Sequence, residues 1–392
     1  MVAEKGDKKG ANKSDLKMCC QEKPFARVLL LVMAATLLLA FVPQPALADT
    51  VITTCTELQN IRDNLAGNYY LGNDIDCTGT SGWNGGAGFE PIGTSCSNNF
   101  TGTFDGQGYK ITGLYINLPS SDYAGLFGFT GPGSKITNVS LEQVIVNGSW
   151  HAGGLVGRTK VGQIANCYST GSVKGNSHVG GLVGRIERGT ITNCYSACSV
   201  NGDSHVGGLV GRNEGGQITN SYSTGSVNGD SHVGGLVGRN EGNGATIANS
   251  YSIGSVSGTS AVGGLVGWNG WNGATENSYS TGRVHGNECA GGLVGKNEGG
   301  QITNSYWDII TSGQSSSAGG EGKTTAEMKQ QATFENWDFV NIWALVDFVS
   351  YPYLQWQPEP PISVPVFSIT GLVVVIGMMC IVLAVAVSRR RR

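Results

Sequence analysis

Gly207-Gly208-Leu209-Val210-Gly211-Arg212-Asn213-Glu214-Gly215-Gly216-Gln217-Ile218-Thr219-Asn220-Ser221-Tyr222-Ser223-Thr224-Gly225-Ser226-Val227-Asn228-Gly229-Asp230-Ser231-His232-Val233 fills 27 residues, and at Gly234 the same text begins again. The pentapeptide Gly-Gly-Leu-Val-Gly starts at Gly153, Gly180, Gly207, Gly234, Gly263 and Gly291, at spacings of 27, 27, 27, 29 and 28 residues. A degenerate copy opens at Ala124, 29 residues before the first. Residues 201–215 and 228–242 are identical over fifteen positions. A fixed period of this size marks a solenoid, a propeller or an array.

Within the unit, residues 208–210, 217–223 and 225–227 are short apolar segments separated by Asn, Gly, Asp and Ser. None is long enough for helical periodicity, so each reads as a strand. Three strands in 27 residues predict one coil of a right-handed parallel β-helix, since a propeller blade needs four strands and about 40 residues. Stacked coils put equivalent residues ~4.8 Å apart in columns. The expected core columns are Leu155, Leu182, Leu209, Leu236, Leu265 and Leu293; Ile164, Ile191, Ile218, Ile247 and Ile302, interrupted by Thr275; and Val173, Val200, Val227, Val256 and Val284. Small insertions around Asn243 and Asn272 account for the longer spacings, as a solenoid tolerates in one turn.

Composition agrees with this reading. Of 392 residues 62 are glycine and 14% are charged, which suits many regular turns and is unlike a solvated helical bundle. Glycine is expected where turns need positive φ or where backbones approach closely. Asn166, Asn193, Asn220, Asn249, Asn277 and Asn304 should form an amide ladder pinning a bend, with Tyr168, Tyr195, Tyr222, Tyr251, Tyr279 and Tyr306 two residues on.

The unit Gly-Gly-Leu-Val-Gly followed by Ile-x-Asn-x-Tyr-Ser resembles the GLUG motif of bacterial and archaeal surface proteins, adhesins and non-catalytic parts of immunoglobulin A peptidases among them. Residues 56–67, Asn73-Asp74-Ile75-Asp76, Pro91-Ile92-Gly93 and residues 100–114 resemble the opening segment of such domains. Trp307-Asp308, residues 324–328, Trp337-Asp338-Phe339 and residues 351–356 resemble their closing segment. The resemblance implies the architecture; a shared fold does not supply chemistry.

The ends read as targeting segments. Residues 1–27 carry seven Lys or Arg against four Asp or Glu, and the apolar run 28–42 leads to Pro43, Pro45 and Ala46-Leu47-Ala48. This predicts a signal peptide over 1–48, cleaved between Ala48 and Asp49. Residues 362–388 are uncharged and long enough to span a bilayer, and Arg389–Arg392 set that end inside. The expected order is an N-terminal cap with irregular first coils at 49–123, repeats at 124–306, a C-terminal cap at 307–357, a Pro-rich linker at 358–361, the span and a cytoplasmic tail at 389–392. Leu58 to Ala66 and Thr325 to Gln331 are the expected cap helices. Pro358-Glu359-Pro360, the span and the arginines resemble a PEP-type sorting signal, from which the longer apolar stretch and Pro365 depart.

Between the ends lie fourteen basic and twenty-four acidic residues, which disfavours nucleic acid as a partner. The exported body holds Cys55, Cys77, Cys96, Cys167, Cys194, Cys198 and Cys289; Cys55 with Cys77 is the preferred disulfide, with other connectivities open. Asn99, Asn138 and Asn147 lie in glycosylation sequons.

His151, His178, His205 and His232 occupy one column, which as neutral imidazoles would suit a transition metal but reads first as a solvent-exposed ladder with no metal. Arg158, Arg185, Arg212, Arg239 and Lys296, with Glu187, Glu214, Glu241 and Glu298 two residues on, read as a solvated face. Trp150, Trp268 and Trp271 are candidates for stacking on sugar rings. HExxH, GxSxG and Walker A patterns are absent from the sequence. Asp105, in Phe104-Asp105-Gly106-Gln107-Gly108, resembles the Asp-Gly-x-Gly turns of polysaccharide lyases and glycosidases, which build on β-helices. The sequence thus predicts a non-catalytic, cofactor-free surface rod, membrane-anchored, that binds or spaces glycans or envelope proteins. A polysaccharide lyase or glycoside hydrolase and a purely structural envelope protein are the alternatives.

Overall fold

The computed structural model describes residues 49–357; the signal, linker, span, sorting signal and tail expected from the sequence lie outside them. Among the described residues three parallel sheets line the coils, one with ten strands, one with seven and one with eighteen. The strands of successive coils pair in parallel register, Ile164 with Ile191, Ile191 with Ile218 and Ile218 with Ile247. The body is a parallel β-solenoid of about seven repeat coils.

The expected columns form the core: Leu155, Leu182, Leu209, Leu236, Leu265 and Leu293 are all 0% exposed. A second valine column, Val156, Val183, Val210, Val237, Val266 and Val294, is buried beside them. Strand positions differ from the sequence expectation. Gly-Gly-Leu is a corner, and the strand that follows runs over Val210–Glu214 rather than 208–210. Arg212 and Glu214 point outward along this strand, while Asn213 between them, like Ile186 in the preceding coil, is turned inward and fully buried.

Besides that corner, three positions in each coil carry a left-handed residue. At one it is Asn166, Asn193, Asn220, Asn249, Asn277 or Asn304; at the second His151, His178, His205, His232, Ala261 or Cys289; at the third Val161, Arg188, Gly215, Gly242, Trp271 or Gly299. The Gly-Gly pair is therefore not selected for positive φ. It is selected for closeness: a Cβ on Gly208 would lie 2.1 Å from the Gly235 carbonyl oxygen of the next coil. Asparagine tolerates the left-handed region because its short side chain bonds locally.

Inside the asparagine corner runs a column that sequence periodicity did not reveal: Cys167, Cys194, Ser221, Ser250, Ser278 and Ser305. The Ser221 hydroxyl donates to the Thr219 carbonyl (2.7 Å) and accepts from the Cys194 amide (3.2 Å). Ser250, Ser278 and Ser305 repeat the pattern. Amides that the corner would orphan inside the core are paired in this way.

The ends are closed differently from one another. At the N-terminal end a short helix, Cys55–Asn60, starts with a capping box between Thr54 and Glu57. It buries Leu58, and Ile61 follows in a single 3₁₀ turn, Ile61–Asp63. The helix expected over 58–66 is thus shorter and begins earlier, because Thr54 supplies the cap. Cys55 is disulfide-bonded to Cys77, closing a separation of 22 residues. Replacing both cysteines by alanine should lower unfolding stability by about 3 kcal/mol, read as a urea midpoint shift.

At the C-terminal end Asp308 caps the four-residue helix Ile309–Ser312 and accepts hydrogen bonds from Thr325 and Tyr351, both 2.7 Å. The helix expected over 325–331 is instead two single turns, Glu327–Lys329 and Gln331–Thr333. Gln330 between them is extended, which leaves Phe334 and Trp337 against the tyrosine column. The segment folds back along the rod: Met328, Phe334, Trp337, Trp343 and Leu354 pack on Tyr251, Tyr279 and Tyr306. Trp356 donates to the Asn220 carbonyl (3.1 Å), and Tyr251 donates to Gln357 (2.7 Å).

Candidate binding surface

The columns singled out from the sequence meet on one flank. Arg158, Arg185, Arg212 and Arg239 stack in register, with Phe129 paired to the first and Trp268 to the last. The guanidinium carbons lie 5.2 Å from the Phe129 ring centre (Arg158) and 4.3 Å from that of Trp268 (Arg239). Aromatic faces thus bracket the cation stack at both ends.

Arg158, Arg185 and Arg212 each reach to the glutamate of the next coil. Arg158 donates to Glu187 (2.6 Å), Arg185 to Glu214 and Arg212 to Glu241 (2.7 Å), where Arg239 also binds (2.7 Å). The side chains of these four arginines are 16–21% exposed and that of Glu241 only 2%, so this is no solvated face. The strand alternation sets both residues outward, and their length folds them flat over the sheet. Burial pushes the Glu187 carboxyl up, but the Arg158 bond and charge outweigh it and hold it below the ordinary value.

The histidine column lies beside the arginines, with His151 and His178 buried and His205 and His232 half-buried rather than exposed as expected. Successive rings stack 4.8, 4.8 and 4.9 Å apart, tilted by 5–14°. Tyr123 stacks on His151 and the edge of Trp268 meets His232. Arg239 donates to Nε2 of His205 (3.1 Å), leaving Nδ1 to donate to Ser204 (2.8 Å). Burial first, then neighbouring positive charge, lowers His151 to about 4, His178 to about 2 and His205 to about 3. His232 is lowered for the same reasons.

Parallel rings at that spacing do not converge on one ion, since zinc–nitrogen bonds of about 2.0–2.1 Å keep two ligand nitrogens within about 4.2 Å. Among the described residues no cluster of three His, Cys, Asp or Glu is arranged to hold a metal.

The remaining candidates are dispersed. Asp105 accepts from the Gln107 amide (2.9 Å), the Gln107 side chain (2.8 Å) and Asn138 (3.0 Å). In the sequons, the side-chain amide nitrogens donate to protein oxygens: Asn99 to Cys96, Asn138 to Asp105 and Asn147 to Asn117. The asparagine ladder bonds from Asn193 to Asn166 to Asn138. Cys96 and Cys289 are exposed thiols, whereas Cys167, Cys194 and Cys198 are buried.

Residues 148–174, 175–201, 202–228, 229–257, 258–284 and 286–307 match one motif. These coils match the GLUG motif. The chain is 44% identical over 126 residues to a halomucin of Haloquadratum walsbyi, covering 31% of this chain and 1% of that protein. A Gly-rich membrane protein of Evansella cellulosilytica is 40% identical over 103 residues, 25% of this chain and 12% of that one. The chain therefore spans a small part of the relatives' length. A crystal structure described as an immunoglobulin A1 protease from Bacteroides ovatus superposes with a TM-score of 0.53 at 22% identity, covering 79% of this chain and 93% of that one. That likeness is one of fold.

Proposed function

We propose that the chain is a non-catalytic cell-surface protein, held by residues 362–388 with its body outside, whose GLUG coils present a multivalent binding or spacing surface to glycans or envelope components. The observation that carries this reading is repetition in register: each coil offers the same outward side chains one strand spacing further along, so weak contacts add as linked sites do. The right-handed hand we assign to the coil is the one parallel crossovers take. The names of the halomucin and the membrane protein support a surface location. The hydrogen bonds holding Asp105 within its own turn favour a structural role for that carboxylate over the paired-carboxylate chemistry of a glycosidase.

Deleting residues 202–228 tests the proposal, because it joins Asn201 to Gly229 and so recreates the dipeptide at 228–229. A solenoid should accept the loss of one coil with its fold intact. Adhesion of cells displaying the full chain to envelope-coated surfaces should fall several-fold for each coil removed. Adhesion unchanged by coil number would favour a purely structural role. Polysaccharide turnover abolished by Asp105→Asn would establish the enzyme alternative.

A further inference from the structure

We infer that a trench crossing the coils beside Trp150 is a binding subsite for a neutral pyranose chain; this deepens the binding role proposed above and rests on it. In register with Trp150 stand Ser177, Ser204, Ser231 and Ser260. One large side chain at the end of a row of hydroxyls leaves a step, and the cleft there, about 460 Å³, is lined by Trp150, Asn176, His178, Asp203, Ser204 and Arg212 among others. Trp150 is 51% exposed. Its ring leans on His151 and His178 at 6.5 and 6.1 Å, tilted by about 45°, so the indole is positioned without being covered.

The polar lining suits a polyol. The Ser177 and Ser204 hydroxyls line the cleft, each held by a histidine Nδ1, at 3.2 Å from His178 and 2.8 Å from His205. Asn176 offers an amide, and Asp203 is exposed and forms no ion pair among the described residues. Arg212 is already neutralised by Glu241 and by Glu214 at 3.3 Å. An anionic sugar would therefore face the Asp203 carboxylate with no free cation to offset it, whereas a neutral ring can stack on the indole and bond through its hydroxyls. The row continues from coil to coil, so a chain of sugars can lie along it.

The test uses the full chain in lipid nanodiscs, titrated calorimetrically with cellohexaose, maltohexaose and chitohexaose, and with polygalacturonate as the anionic probe. At least one neutral hexasaccharide should bind. Trp150→Ala should weaken it about tenfold and Asp203→Ala several-fold, while Trp150→Phe keeps most of the affinity and all three variants melt with the parent. Saccharide binding unchanged in Trp150→Ala, or a preference for polygalacturonate, overturns the trench and leaves the wider binding role standing. Binding to isolated cell envelopes but to none of the saccharides does the same. Binding to neither overturns both.

Discussion

Gly225→Ala should destabilise the solenoid by about 3 kcal/mol or more through the addition of a single methyl group. A Cβ at that position would lie 1.9 Å from the carbonyl oxygen of Cys198 in the preceding coil. The same contact recurs up the column, where Gly254 faces the Gly225 oxygen and Gly282 the Gly254 oxygen, each also at 1.9 Å. The obstructing atom is backbone, so the clash cannot be relieved by a rotamer change. Two controls separate packing from conformation. Gly82 has open space around its Cβ position and no positive φ, so Gly82→Ala should be neutral or stabilise by a few tenths of a kcal/mol. Gly299 also has open space but φ of +75°, so Gly299→Ala should cost about 1–2 kcal/mol. The urea midpoints should fall from Gly82→Ala through Gly299→Ala to Gly225→Ala. A Gly225→Ala midpoint equal to that of Gly82→Ala would mean that the coils are not stacked as described.

The period of 27 was enough to place the core, because a column repeats only the residue type that one coil buries. Leu209 and Ile218 were assigned correctly for that reason. Whether a glycine serves φ or closeness was not legible: both demands select the same residue, and only coordinates show that Asn220 and His205 take the left-handed corners while Gly208 and Gly225 take the close approaches. Pairing between coils was equally hidden. Arg212 and Glu214 read as neighbours on one strand, yet Arg212 binds Glu241, 29 residues on, and that diagonal reach is what lays the side chains flat and buries them. The cap was legible in its residues but not in its direction. Nothing in the spacing of Trp337, Trp343 and Trp356 says that they run back over Tyr306, Tyr279 and Tyr222. The Trp150 cleft needed both kinds of information, the row of serines from the register and the exposed indole beside it from the packing.

The histidine ladder should make the rod acid-labile at a pH where its carboxylates are still charged. Burial, and then the neighbouring arginines and histidines, hold His151 near 4, His205 near 3 and His178 near 2, with His232 also lowered. The same imidazoles in the unfolded chain titrate near 6.5. Above pH 6.5 both states are neutral there and the ladder's contribution is complete. As pH falls below 6.5 the unfolded chain takes up protons that the folded chain refuses, so stability declines, and for each group the decline stops only at its folded value. Each histidine can contribute a slope of at most about 1.4 kcal/mol per pH unit, giving four together a ceiling of roughly 5 kcal/mol per unit near pH 5. Glu187 and Glu142 are themselves lowered, so their contribution is lost only as pH drops below about 4.5, and between 6.5 and 4.5 the ladder acts alone. Asparagine accepts the left-handed backbone that His178 and His205 occupy, so His178→Asn with His205→Asn should keep the fold and halve the slope of stability against pH in that window. A parent chain whose urea midpoint is level from pH 7.5 to 5 would show that the imidazoles are solvated. A double variant with the parent's slope would assign the acid sensitivity to other groups.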